Sequence, residues 1–230
     1  MKKQILSLLF IQSFISLIYA QVEIGDGGTN FTEFEVDGTM EFHGDATVYD
    51  DLVVAFSTGK TASNPPTFAQ FVDDGSGSVG VYAYRFDDEA ANNEAQVFFT
   101  IQMPHSWIEG TDVYPHIHWA PEDNTSGTVV WGMEYSWVEY NSTTPLSFPS
   151  STIITTTSNS LANDANKHMI TPFASITPSI SQDNISSILV VRLFRNSSNV
   201  SDTYTGGAFG LSFDLHIEKN TAGSRNEWTK

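Results

Sequence analysis

From Phe34 onward, apolar and polar residues alternate with a period of two in one short run after another. That spacing puts every second side chain on one face of a β-strand. Phe34 and Val36 precede Asp37-Gly38, and Met40 and Phe42 follow it, an order that predicts a hairpin with a tight turn. Val48 to Phe56 reads as a second apolar strand. In Val79 to Phe86, Tyr82, Tyr84 and Phe86 share a face, and in the next run Val97, Phe99, Ile101 and Met103 do the same. Val113 to Trp119 follows, then Val129 to Tyr140 with Trp131, Met133, Tyr135 and Trp137 on one side. Ile153 to Thr157 and His168 to Phe173 carry weaker patterns, and Ile188 to Arg195 and Phe209 to Ile217 close the series.

Long stretches with a 3.6-residue period are absent, and turn residues such as Asp73-Asp74-Gly75, Asp123-Asn124 and Gly206-Gly207 separate the strands. The pattern predicts roughly ten strands in an all-β domain, a single jelly-roll-like β-sandwich spanning residues 33–230. The Ser/Thr-rich stretch from Asn141 to Ser187 fits long loops, a weak edge region or an inserted hairpin. Residues 21–32 read as an N-terminal extension. Val22 and Ile24, ahead of the glycine-rich Gly25 to Gly28, make either a frayed terminus or a donor strand for the sheet edge of a neighbouring subunit.

Residues 1–20 change the picture of the compartment. Lys2 and Lys3, an apolar run from Ile5 to Ile18, and Ala20 before Gln21 have the build of a secretory signal peptide. A secreted mature chain with no further apolar run of spanning length is expected. Without Lys2 and Lys3 the chain keeps 8 basic residues against 27 acidic, a formal charge of −19. Such a surface repels nucleic acid, whose phosphates are bound by Lys and Arg. It is compatible with divalent cations and with plain solubility. The chain has no cysteine, which excludes disulfides, thiol catalysis and zinc–thiolate sites.

Six Asn-x-Ser/Thr sequons, at Asn30, Asn124, Asn141, Asn184, Asn196 and Asn199, mark a glycoprotein if the host glycosylates. The stretch Gly110 to Glu122 holds His116 and His118, which point to one face of a strand, and Glu122 four residues on. Two imidazoles and a carboxylate can ligate a divalent metal. The alternative is a pair of structural histidines hydrogen-bonded within the sheet beside Tyr114 and Trp119. His216 shares a strand face with Asp214 and Glu218, a trio that either adds a ligand or forms a solvated acidic face. No Gly-x-Ser-x-Gly elbow is present. Trp107, Trp119 and Trp137 would make a sugar-binding platform if they were exposed, and core residues if they were not.

The spacing Gly110-x5-His116-x-His118-x3-Glu122 resembles the first motif of the cupin family, and His216-x3-Asn220 resembles the end of the second. That resemblance implies a divalent metal held by His116, His118, Glu122 and His216. Gly127 departs from the motif by following Glu122 too closely, and the Pro-x-Gly of the second motif is missing. Over most of its length the chain is also similar to a group of β-rich structural proteins encoded largely by phages and other viruses. The residues that carry this likeness are Gly44 to Leu52, Phe68 to Phe86, Pro115-His116-Ile117-His118-Trp119, Trp131 to Tyr135, Phe213 to His216 and Gly223-Ser224-Arg225. This likeness implies a structural, virion-associated role. The leader departs from a cytoplasmically assembled virion protein and, with the sequons, gives the expectation of a secreted surface or virion-surface glycoprotein that assembles with itself or mediates adhesion. A cupin-like metal protein or metal-dependent enzyme is the alternative reading, and a carbohydrate-binding module the third.

Overall fold

The computed structural model describes residues 40–88, 94–141, 143–160, 162–179 and 183–230. The chain divides into two compact units, Met1–Asp37 and Gly38–Lys230, and every described residue belongs to the second. The leader, the 21–32 extension with its candidate donor strand, Asn30 and most of the Phe34 to Phe42 hairpin lie outside the described residues.

The described residues form an all-β sandwich of eleven strands. In chain order these are β1 (Val48–Val54), β2 (Lys60–Thr61), β3 (Thr67–Val72), β4 (Val81–Phe86), β5 (Gln96–Gln102), β6 (Val113–Pro121), β7 (Gly127–Val138), β8 (Thr152–Ser160), β9 (Met169–Pro172), β10 (Ile188–Arg195) and β11 (Ala208–Lys219). Two single 3-10 turns, Gly44–Ala46 and Phe56–Thr58, are the helical elements among them. No helix is long and apolar enough to cross a membrane among the described residues.

Every strand pairing is antiparallel. One sheet runs β3-β4-β11-β6-β9, with β1 also paired to β11; the other runs β2-β5-β10-β7-β8. Taken alone, the eight consecutive strands β4 to β11 divide between the sheets in the orders 4-11-6-9 and 5-10-7-8. That is the double Greek key of a jelly roll. The Asn141 to Ser187 stretch contributes both outer strands on one side, β8 to one sheet and β9 to the other.

Alternation explains the core. Val97, Phe99 and Ile101 of β5, Leu189, Val191 and Leu193 of β10, and Trp131, Met133 and Trp137 of β7 are buried facing Ile117 and Trp119 of β6 and Phe213, Leu215 and Ile217 of β11. Ring contacts tie the sheets together: Phe99 stacks on Phe213 at 6.1 Å, and Trp119 meets Trp131 edge-on at 5.9 Å. Trp107, Trp119 and Trp137 are fully buried. The sugar platform considered for them is therefore corrected: all three occupy strand or loop positions that face the core, where a large apolar ring is most stable. Trp119 and Trp137 each donate their indole N–H to a buried hydroxyl, of Thr171 and Ser187, at 2.8 Å.

Candidate metal centre

In β6 the core positions Val113, Ile117 and Trp119 are fully buried, so Tyr114, His116 and His118 project from the opposite face of the sheet. The antiparallel register sets His116 directly across from Asp214 of β11, and His118 across from Ser212. On the far edge of β11, Asp51 of β1 faces His216 and Val53 faces Asp214. On the far edge of β6, Ile170 of β9 faces His118, with His168 just before that strand. Four histidines and two aspartates from neighbouring chain segments thus meet on one patch.

Within the patch, Asp214 Oδ1 lies 2.9 Å from His116 Nε2 and 3.3 Å from His118 Nε2. His116, His118 and Asp214 each offer a ligand atom within 4.8 Å of the other two. His116 and Asp214 are buried although they leave the core face, and His118 is a fifth exposed. The close contacts lack hydrogen-bond alignment: among the described residues, His118 Nε2 and Asp214 Oδ1 are buried without a hydrogen-bond partner. The outer ring nitrogens are engaged elsewhere. His118 Nδ1 is 2.7 Å from His168 Nε2, and His116 Nδ1 makes a long 3.4 Å contact to the Tyr114 carbonyl oxygen. Burial holds His118 below the ordinary imidazole value; Asp214 opposes this, and His116 and His168 reinforce it. His118 is therefore the neutral, electron-pair-donating form at neutral pH.

Of the residues singled out in the sequence, the structure brings His116 and His118 together and keeps Glu122 away from them. Glu122 ends up beyond β6, where its carboxylate pairs with Arg85 at 2.7 Å and accepts the Gly207 backbone N–H at 3.0 Å. An extended strand rises about 3.3 Å per residue, so four positions separate His118 from Glu122 by about 13 Å. The carboxylate at the histidines is instead Asp214, one strand over. His216 stacks edge-on against His116 at 4.2 Å, but its Nε2 pairs with the half-exposed Asp51 at 2.7 Å. The solvated acidic face considered for the 214–218 trio does not hold for Asp214, which is buried. His168 and Asp51 were not legible as members of the patch, because only the strand pairings bring them there.

His105 shows what a structurally satisfied histidine looks like in this molecule. Its Nδ1 lies 2.6 Å from the Ser224 hydroxyl and its Nε2 lies 2.9 Å from that of Ser186. The described sequon residues Asn124, Asn141, Asn184, Asn196 and Asn199 all sit in connections between strands. Elsewhere, Phe56, Phe68, Phe71, Tyr82 and Tyr84 line an open cleft of about 480 Å³ at the edge of the sandwich. Phe68 is 62% exposed there, so aromatic faces reach solvent at this cleft, whereas Trp107, Trp119 and Trp137 do not.

No family model matches the chain, and no curated protein matches it. Among solved structures it is similar to the stem and receptor-binding domain of the spike protein P1 from bacteriophage PM2, at 14% identity and a TM-score of 0.24. The match covers 70% of this chain and 66% of that one, slightly under two thirds of the phage protein chain.

Proposed function

We propose that the chain is a structural component of a virion or extracellular surface, a jelly-roll unit that associates with copies of itself through a sheet edge. The observation that carries this reading is β8. Its nine residues, Thr152 to Ser160, pair with β7 from Gly127 to Tyr135 without a register break. On its other side β8 pairs with no described strand. The strand holds no charged residue and no proline, and Ile153 on its outward face is 55% exposed.

Proteins that stay monomeric blunt such an edge with lysines, prolines, bulges or short length. The opposite sheet does so: β9 has only four residues and ends on Pro172, and β3 is broken by a bulge between Gln70 and Val72. An added strand on β8 would form main-chain hydrogen bonds worth about 0.5–1.5 kcal/mol each, a sum large enough to hold subunits together. The formal charge of −17 opposes association at low ionic strength, so salt favours it. The sequons support a secreted glycoprotein, since Asn124, Asn141, Asn196 and Asn199 sit in connections outside both sheets.

Light scattering of the mature protein and of an Ile153→Lys, Thr155→Lys double variant tests this reading. Wild-type protein is expected to grow beyond monomer mass as concentration and salt rise, and the variant to stay monomeric with an unchanged thermal midpoint. A variant that assembles as the wild type does would remove β8 as the contact.

A further inference from the structure

We propose that His116 Nε2, His118 Nε2 and Asp214 Oδ1 form a three-ligand site for a first-row divalent transition metal, with its remaining coordination positions on the outward side of the sheet. The inference goes beyond the structural role argued above, and the chain could lack such a metal and still assemble.

The geometry comes first. Donor atoms around an ion with bonds of about 2.1 Å are about 3.0–3.4 Å apart in octahedral or tetrahedral arrangements. Asp214 Oδ1 lies 2.9 and 3.3 Å from the two imidazole nitrogens. Direct hydrogen bonds do not account for these contacts, because His118 Nε2 and Asp214 Oδ1 are buried yet have no hydrogen-bond partner among the described residues. Leaving buried polar atoms unmet is destabilising, and a cation in their midst removes that cost.

The proton positions point the same way. A carbonyl oxygen only accepts, so the 3.4 Å contact of His116 Nδ1 with the Tyr114 oxygen is made by an Nδ1–H, the tautomer in which Nε2 ligates. His118 Nδ1 lies 2.7 Å from His168 Nε2, so this outer nitrogen too has a hydrogen-bond partner when Nε2 ligates. Such an outer contact on the ring nitrogen that does not ligate is the usual support of a metal-bound histidine.

Two imidazoles and one carboxylate favour zinc, iron(II), cobalt, nickel or manganese over calcium, which takes six to eight oxygens. His216 Nε2 and Asp51 Oδ1 pair with each other at the rim, 2.7 Å apart, instead of completing the ligand set. Because His116 and His118 lie on β6 and Asp214 on β11, the ion would pin the two central strands of the sheet to each other.

The test uses the mature protein stripped with a chelator and then equilibrated separately with Zn²⁺, Co²⁺, Ni²⁺, Mn²⁺ and Ca²⁺. The expected result is one equivalent of Zn²⁺ or Co²⁺ per chain by elemental analysis, visible d–d absorption for the cobalt form, and no stoichiometric Ca²⁺. At a metal concentration 100 times the dissociation constant, the thermal midpoint is expected to rise by about 5–10 °C. Asp214→Asn, close in shape to the original, is expected to abolish stoichiometric uptake. His168→Ala is expected to weaken binding by about 10–100-fold while keeping the cobalt spectrum. Glu122→Gln is expected to keep the full equivalent. Failure of folded wild-type protein to take up any of the transition metals would overturn the proposal, whatever becomes of the variants. Uptake by folded Asp214→Asn equal to wild type would overturn it as well.

Discussion

Arg195, at the end of β10, has no solvent exposure, nor does the side chain of Asp202, to which it is ion-paired at 2.7 Å. The guanidinium also donates to the carbonyl oxygens of Phe86, Gly206 and Tyr204, so it fastens the Ser201 to Gly207 connection to both sheets. Burying such a pair gains little net stability, but removing one partner strands the other. Arg195→Met is expected to cost about 3–5 kcal/mol in urea unfolding. An Arg195→Met, Asp202→Leu double variant is expected to recover part of that loss, and a double variant no more stable than the single would contradict the pairing argument.

Next to this pair, the Tyr204 ring is buried and its hydroxyl donates to Asp123 Oδ1 at 3.2 Å. Burial pushes its phenol up to about 12. The unfolded chain releases that proton near pH 10, so the neutral phenol favours the folded state fully below pH 10. Stability is then lost as pH rises from about 10 to about 12, by up to about 3 kcal/mol for this group. Alkaline unfolding followed by tryptophan fluorescence should show this slope, and Tyr204→Phe should flatten it. Equal slopes in the two proteins would show that Tyr204 titrates normally.

At the scale of the element, close pairing across β7 and β10 is the most demanding feature. Gly132 of β7 sits directly opposite Phe194 of β10. The Phe194 ring lies over that glycine, and the Arg192 guanidinium stacks 4.0 Å from the ring centre. A Cβ at position 132 would fall inside the ring's van der Waals envelope. Gly132→Ala is therefore expected to destabilise the protein by about 1–3 kcal/mol, the usual cost of overpacking. Chemical denaturation of the two proteins checks it.

The same scale shows which elements were readable in the chain. Ile188 to Arg195 alternates cleanly and matches β10 residue for residue. Val113 to Trp119 and Val129 to Tyr140 locate β6 and β7 to within a few residues, because large apolar side chains recur at every second position. β3 escaped notice. Phe68 and Phe71 fall on opposite parities there, because the bulge after Gln70 inserts an unpaired residue and breaks the alternation. β2, with two residues, is too short to carry a period. Val48 to Phe56 ends early for a local reason, since Phe56 turns into the core through a 3-10 turn.

At the scale of the whole molecule, the all-β class was legible but the partners of the strands were not. The first and last strands of the jelly roll, β4 and β11, pair across more than a hundred residues, and nothing local encodes that register. The candidate site suffers from the same limit. His116 and His118 stand out because they are two apart on one strand, whereas Asp214 joins them only through the pairing of β6 with β11. Glu122 was chosen by its nearness in sequence, and the straightness of a strand carries it out of reach.

The central claim, that these sandwiches associate through an unprotected edge, also belongs to the whole molecule. Its most direct test is electron cryo-microscopy of the mature protein at high concentration and at 0.15 M ionic strength, where charges are screened beyond about 8 Å. The account predicts an ordered oligomer in which a strand of a neighbouring copy continues the sheet beyond β8. Particles that remain single sandwiches at every concentration and salt, with β8 facing solvent, would contradict it.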